Sequence, residues 1–167
     1  MQSPPDPAPA ITFTPIGTIH SAFTDIAGMP IQPNGARGTR GTVEVFPSFA
    51  GGLRDLDGFE RIILIYAFHQ CNGHQLVVRP FLDTTSRGVF ATRSPKRPNA
   101  IGLSTVRLIE VKGGTLTVED IDVLDGTPVL DIKPYVPVFD AYPGSRCGWF
   151  ENVACNAETH RSDDRFR

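Results

Sequence analysis

Ile101–Leu124 reads IGLSTVRLIEVKGGTLTVEDIDVL. The run from Ile101 to Val111 predicts a strand, and Gly113-Gly114 predicts a two-residue turn, because both positions tolerate φ > 0. The return strand is expected from Thr115 to Leu124. Its apolar phase slips, since Leu116 and Val118 share one parity while Ile121 and Val123 take the other. A β-bulge near Asp120 accounts for the slip. A tight hairpin pairs its two strands antiparallel.

Outward from the hairpin the chain is made of short strands. Ile11–His20 alternates, with Pro15 marking an edge or a bulge. Gly41–Phe46, Gln75–Arg79 and Gly88–Thr92 are further short strands, and Val129–Ile132 is the last clear one. Arg61–His69 carries the continuous apolar run Ile62-Ile63-Leu64-Ile65-Tyr66, expected as a strand buried on both faces and ended by Gly73. Phe49–Phe59 spaces Leu53, Leu56 and Phe59 three apart, which predicts a helix of one to two turns with one side inward. Thr24–Arg40 is rich in Gly, Pro and Asn and reads as a long loop, a kind of segment that is often functional. About eight short strands without βαβ alternation predict an antiparallel or mixed all-β domain, either barrel or sandwich. No GxGxxG follows a strand, so the Rossmann fingerprint is absent. Residues 1–10 are expected as a disordered Pro-rich tail, 11–140 as the folded domain, and 141–167 as a C-terminal extension. In that extension Trp149-Phe150 is expected to tuck back on the core and Thr159–Arg167 to fray.

The 167 residues suffice for one domain with a real core. A net charge of −2 argues against a generic polyanion binder. Any nucleic acid must meet a local patch, and Arg87–Arg107, with five cations and no acid, is the candidate. Three cysteines without CxxC spacing predict reduced thiols in a cytoplasmic protein rather than a disulfide framework or zinc site. His20, His69, His74 and His160 are scattered, so no metal is expected. No apolar run approaches the roughly 20 residues of a membrane span, and the first ten residues lack the pattern of a secretory signal. Ser94 and Ser104 lie in no nucleophile elbow. Asp122, Asp125, Asp131 and Asp140 offer carboxylates whose spacing gives no clear acid/base pair.

Phe81–Ser104 gathers Arg87, Arg93, Lys96 and Arg97 between Pro80, Pro95 and Pro98, which fix φ, and Gly88 and Gly102. Within it, ATRSPKRPNAIGLS (91–104) resembles the motif ATRSPxRPNPIGLS of the TrmO (YaeB-like) family of S-adenosylmethionine-dependent tRNA methyltransferases. Ile16–Ser21, Phe59-Glu60-Arg61, Phe68-His69-Gln70, Asp122–Pro128 and Asp131–Tyr135 resemble further blocks of that family, in its order, so that the likeness covers roughly residues 11–140. It departs at Ala100, which stands where the family has proline. Some 27 residues follow Asp140, so the resemblance is to the short form, without the extra C-terminal domain.

The resemblance implies a closed antiparallel or mixed β-barrel with short helical insertions, not a Rossmann fold, acting as a homodimer with the cofactor site near the subunit interface. It implies N6-methylation of threonylcarbamoyladenosine beside the anticodon of tRNA. The cofactor has an adenine, a ribose diol, a carboxylate and a sulfonium, and four stretches can meet these groups. They are Gln32-Pro33 in a rigid loop, His69-Gln70 at a strand end, Arg93 in the basic segment, and Leu124-Asp125-Gly126-Thr127 in a turn. Similarity to the family implies that these stretches line the cofactor site, and Lys96 and Arg97 are expected to hold the RNA. Transfer from a sulfonium relies mainly on alignment. The base that takes the nitrogen's proton has no signature in the sequence, and Asp125 is a guess for it. Two other readings are a non-catalytic S-adenosylmethionine or nucleoside-binding module, and a small-molecule methyltransferase on the same barrel.

Overall fold

Among residues 10–166, which the computed structural model describes, eight strands form. They are β1 (Gly17–His20), β2 (Arg40–Val45), β3 (Arg61–Ala67), β4 (Val77–Val78), β5 (Arg87–Gly88), β6 (Ile101–Lys112), β7 (Thr115–Glu119) and β8 (Thr127–Pro134). Six of them close into a barrel in the order β1-β2-β7-β6-β3-β8, every pairing antiparallel. Closure is made by β1 on β8, with Gly17 opposite Val129 and Ile19 opposite Thr127. The choice between barrel and sandwich left open by the strand count therefore falls to the barrel. The pair β4–β5 forms a separate small ribbon.

The hairpin β6–β7 turns at Gly113, whose φ of +60° only glycine adopts readily. The parity slip has two physical sources. The β6–β7 register shifts between Leu108 and Glu110, and β7 ends at Glu119 rather than Leu124. Asp120 follows with a φ of +66°. It accepts Gly38 N–H at 3.0 Å and the Arg61 guanidinium at 3.0 Å, so its left-handed backbone is held by bonds to its own carboxylate. Beyond it Ile121 and Val123 again point inward and are buried.

The core fills the barrel. Ile19, Ile62, Leu64, Leu116 and Ile121 are wholly buried there, each worth roughly 1.5–3 kcal/mol against exposure. The apolar run of β3 is not buried on both faces as expected. Ile62, Leu64 and Tyr66 face inward while Ile63 and Ile65 are half-exposed, because a barrel strand has one inner and one outer side.

Other boundaries move for local reasons. Strand β1 begins only at Gly17, leaving Pro15 outside the ladder. The helix expected in Phe49–Phe59 is two 3₁₀ turns, Ala50–Leu53 and Leu56–Gly58, separated by Asp55 at φ +64°. The strand expected at Gly88–Thr92 becomes a 3₁₀ turn, Val89–Ala91. The Pro-rich tail of residues 1–9 lies outside the described residues. The segment 159–166 is not frayed. Phe166 is buried against Val78, Val89 and Phe81, and Ser162 exchanges backbone hydrogen bonds with Gly28 and Met29 at 2.9 Å each. No helix among the described residues is long and apolar enough to cross a membrane.

Candidate functional site

The end of β3, the beginnings of β6 and β8, and the end of β1 meet at one mouth of the barrel. A cavity of about 460 Å³ opens there. Its floor is the barrel itself, through Tyr66, Gly102, Asp122 and Thr127. Its walls are the loop around Met29–Gln32, the basic segment Thr92–Pro95, Pro80-Phe81-Leu82, and the C-terminal residues Trp149, Phe150, Ser162 and Phe166.

Gln32, His69, Gln70, Arg93, Leu124 and Thr127 all line this cavity, although they come from four separate stretches. Arg93 Nη1 donates to Gln32 Oε1 at 2.8 Å, which joins the long loop to the basic segment. His69 Nδ1 lies 3.3 Å from Thr127 Oγ1, and that hydroxyl donates to Leu124 O at 2.7 Å. Pro33, Asp125 and Gly126 are beside the cavity rather than in its lining. Pro33 opens the 3₁₀ turn Pro33–Ala36, and Gly126 takes φ +75° in the turn before β8. The Asp125 carboxylate accepts Ser21 N–H at 3.1 Å and sits 3.4 Å from His20 Nδ1. The carboxylate in the cavity is Asp122, three residues earlier, and not the Asp125 singled out as a candidate base.

Lys96 and Arg97 brace the basic segment from inside. Lys96 is buried, and its Nζ donates to Asn72 O at 2.8 Å. Arg97 Nη1 donates to Thr92 O at 2.8 Å and Val89 O at 3.2 Å, with its guanidinium over the Phe90 ring. Thr92 and Ser94 add side-chain bonds along the same turn. Arg97 also lines the cavity, whereas Lys96 does not. Arg87 pairs with Asp83 at 2.7 Å and lies over the Trp149 ring.

A polar chain lies on the floor. Ser104 Oγ donates to Asp122 Oδ1 at 2.6 Å, and Tyr66 Oη is 3.0 Å from Ser104 Oγ. With the serine proton committed to Asp122, Tyr66 is the donor to Ser104. Burial pushes the Asp122 carboxyl up to about 6, against the opposing pull of Ser104 and Arg93. Burial, and then the Asp122 carboxylate, push the Tyr66 phenol far upward, so it remains a neutral donor. Cys71, a free thiol on the wall, is pushed up by burial. Among the described residues no three His, Cys, Asp or Glu side chains come together to hold a metal ion.

Asp122 and Ser104 lay in quoted motif blocks without a role, because nothing in the sequence pairs positions 18 apart across a bulged hairpin. The contribution of Trp149, Phe150, Ser162 and Phe166 had no sequence signal beyond the aromatic pair. Trp149 Nε1 donates to Ala91 O at 2.8 Å, so it tucks onto the basic segment rather than the barrel core.

Residues 18–141 match the family model of the tRNA-methyltransferase O N-terminal domain. A protein of Pyrococcus abyssi named as a probable S-adenosyl-L-methionine-binding protein is 51% identical over 93% of this chain and 85% of its own length. The mouse tRNA (adenine(37)-N6)-methyltransferase is 39% identical over 76% of this chain but only 31% of its own length. A crystal structure of TrmO from Pseudomonas aeruginosa aligns with a TM-score of 0.71 at 42% identity, covering 84% of this chain and 62% of that one. The chain thus spans most of the archaeal relative and less than two thirds of the other two.

Proposed function

The chain belongs to the tRNA-methyltransferase O family, and on that premise we propose that it is an S-adenosylmethionine-dependent methyltransferase acting on adenosine N6 in tRNA. The finer substrate we infer is the N6-threonylcarbamoyl form of the base next to the anticodon. The observation that carries the reading is the cavity at the barrel mouth, where Gln32, His69, Arg93 and Thr127 converge from distant stretches. Its volume of about 460 Å³ suits a nucleoside-sized ligand, within the roughly 300–1,000 Å³ of small-molecule sites.

The lining fits the methyl donor group by group. Arg93 provides a cation for its carboxylate, while His69 and Thr127 offer polar partners for its ribose diol. The Gln32 and Gln70 amides, with Leu124, suit adenine. When bound, the donor supplies an activated methyl. What the chain must do is hold the acceptor nitrogen in line behind that methyl and exclude water. The apolar walls, Phe68, Phe81, Leu82 and Leu103, provide the exclusion.

We further infer a homodimer in the cytoplasm. Its support is apolar surface at the short helix Pro137–Asp140 and beyond, where Val138, Phe139 and Tyr142 are 80%, 68% and 75% exposed. Contact with tRNA is assigned to the outer face of the basic segment, with Lys96 and Arg97 shaping it.

The test is nucleoside mass spectrometry of tRNA after incubation with the protein and labelled donor. A gain of one methyl on threonylcarbamoyladenosine, with no reaction of tRNA lacking that group, is expected. Equal methylation of unmodified tRNA would overturn the finer substrate but not the enzyme class. Binding without transfer would favour a sensor module, and label in a small molecule would favour the third reading. Arg93→Ala should weaken donor binding about ten-fold, since a charge-assisted hydrogen bond is worth roughly 1.5–3 kcal/mol.

A further inference from the structure

Asp122 is the only carboxylate among the described residues that line the cavity. Four of the other titratable groups there are unsuited to accept a proton. The guanidinium groups of Arg93 and Arg97 offer donors and no acceptor. Tyr66 is held neutral as a donor by burial. Cys71 is held as a thiol by burial. His69 is tied through Nδ1 to Thr127 Oγ1 at 3.3 Å, which leaves its Nε2 as the rival acceptor that the Asp122 variants below distinguish. Asp122 has one oxygen fixed by Ser104 at 2.6 Å, and Ser104 is itself fixed by Tyr66 at 3.0 Å. Two barrel strands and the segment after β7 thus converge to hold one carboxyl group at the cavity floor.

We propose that Asp122 is the general base of the transfer, with Ser104 and Tyr66 as the positioning residues that orient its carboxylate toward the attacking nitrogen. The assignment rests on the methyltransferase reading above and deepens it. An exocyclic adenine nitrogen has its lone pair delocalised into the ring, and a carbamoyl substituent delocalises it further. Such a nitrogen attacks only as its proton leaves. The N6–H bond breaks and the proton goes to the Asp122 carboxylate. The nitrogen pair forms the bond to the methyl carbon, and the carbon–sulfur pair stays on sulfur, leaving a neutral thioether. Asp122 then returns its proton to water. A carbamoyl-bearing N–H is more acidic than a plain amine, which matches a carboxylate base better than unmodified adenosine does. Burial keeps the carboxyl near 6, ionised at neutral pH yet able to take a proton.

The experiment compares wild type with Asp122→Asn, Asp122→Glu and Ser104→Ala. Asp122→Asn should lower kcat by roughly 10²–10⁴-fold, with the dissociation constants of the methyl donor and of its thioether product each within about three-fold. The wild-type kcat/KM profile should fall on the acid side with a midpoint near 6, and carbon NMR of the labelled Asp122 carboxyl in the free protein should titrate in the same range. Ser104→Ala removes a bond to the charged form and should move that midpoint upward. Asp122→Glu should recover part of the rate. Three results would each overturn the proposal: full activity in a folded Asp122→Asn, an acid limb that persists in it, or selective loss of affinity for the sulfonium donor over the thioether. The last would make Asp122 a counter-ion. A wild type that methylates no nucleoside overturns the function reading together with this one, whereas an active wild type with an equally active Asp122→Asn overturns this one alone.

Discussion

Gly102 is a glycine because the Tyr66 ring occupies the space where its side chain would be. A Cβ there would lie 2.2–2.8 Å from three ring carbons. The missing side chain lets the phenol reach Ser104, and through it Asp122. That carboxyl is a strained choice for a barrel floor, and linkage gives the sign of its effect. Its folded value of about 6 lies above the ordinary 3.8. Between those values the folded state keeps a proton that the unfolded state releases, so stability falls as pH rises through the window. Above about pH 6 the destabilisation is complete, and below about pH 4 it is absent. Asp122→Asn, whose amide oxygen can still accept from Ser104, should therefore melt higher than wild type at pH 7.5 and converge with it near pH 4. The shift of about two units sets a ceiling near 3 kcal/mol, reduced where water reaches the half-buried side chain. Thermal denaturation across that pH range checks the gap, and a gap that widens toward acid would contradict it. Motif blocks carry three of the four stretches, which made His69, Gln70, Arg93, Leu124 and Thr127 legible in the sequence, while Gln32 stood out only as the amide of a Pro-bounded loop. The sequence could not show which aspartate faces inward, since that depends on the left-handed turn at Asp120 and the bulge at Leu108 to Glu110.

The basic segment acts as an element in its own right. Lys96 and Arg97 point back onto the carbonyls of Asn72, Val89 and Thr92, so their charge first serves to fix a short turn that has little regular hydrogen bonding. A Lys96→Ala/Arg97→Ala double variant would weaken tRNA binding with a shallower salt dependence if these side chains met phosphates alone. With the bracing seen here, donor affinity should fall too, by several-fold, because Arg93 and Ser94 sit on the same turn. Calorimetry with the donor alone measures this, and an unchanged affinity would show that the segment holds its shape without them. The Gly113-Gly114 hairpin was legible from sequence because its turn chemistry is local. The 3₁₀ turn at Val89–Ala91 was not, since its short apolar run looks the same as that of a strand. The docking of 159–166 was invisible because one phenylalanine and one serine do the anchoring within a polar stretch.

At the scale of the molecule, closure of the six strands leaves no barrel edge for another chain to pair with, so association through the barrel must use side chains. The exposed Val138, Phe139 and Tyr142 form one apolar surface for it. Light scattering at micromolar concentration should give about twice the 18.2 kDa of one chain, and Phe139→Glu should return it to that mass. A wild-type monomer would refute the dimer. The all-β class was readable from strand count and turn spacing, whereas closure depends on a pairing between residues more than a hundred positions apart. That same pairing sets an order of events during synthesis. Ile19 can pair with Val43 early, but its closing partner is missing until Thr127 has been made, so a nascent chain must carry its first strand on an open ribbon while the ribosome supplies the last. Such non-local topology folds slowly, and the cavity floor, which needs Asp122 and Thr127, is finished only when the ring shuts.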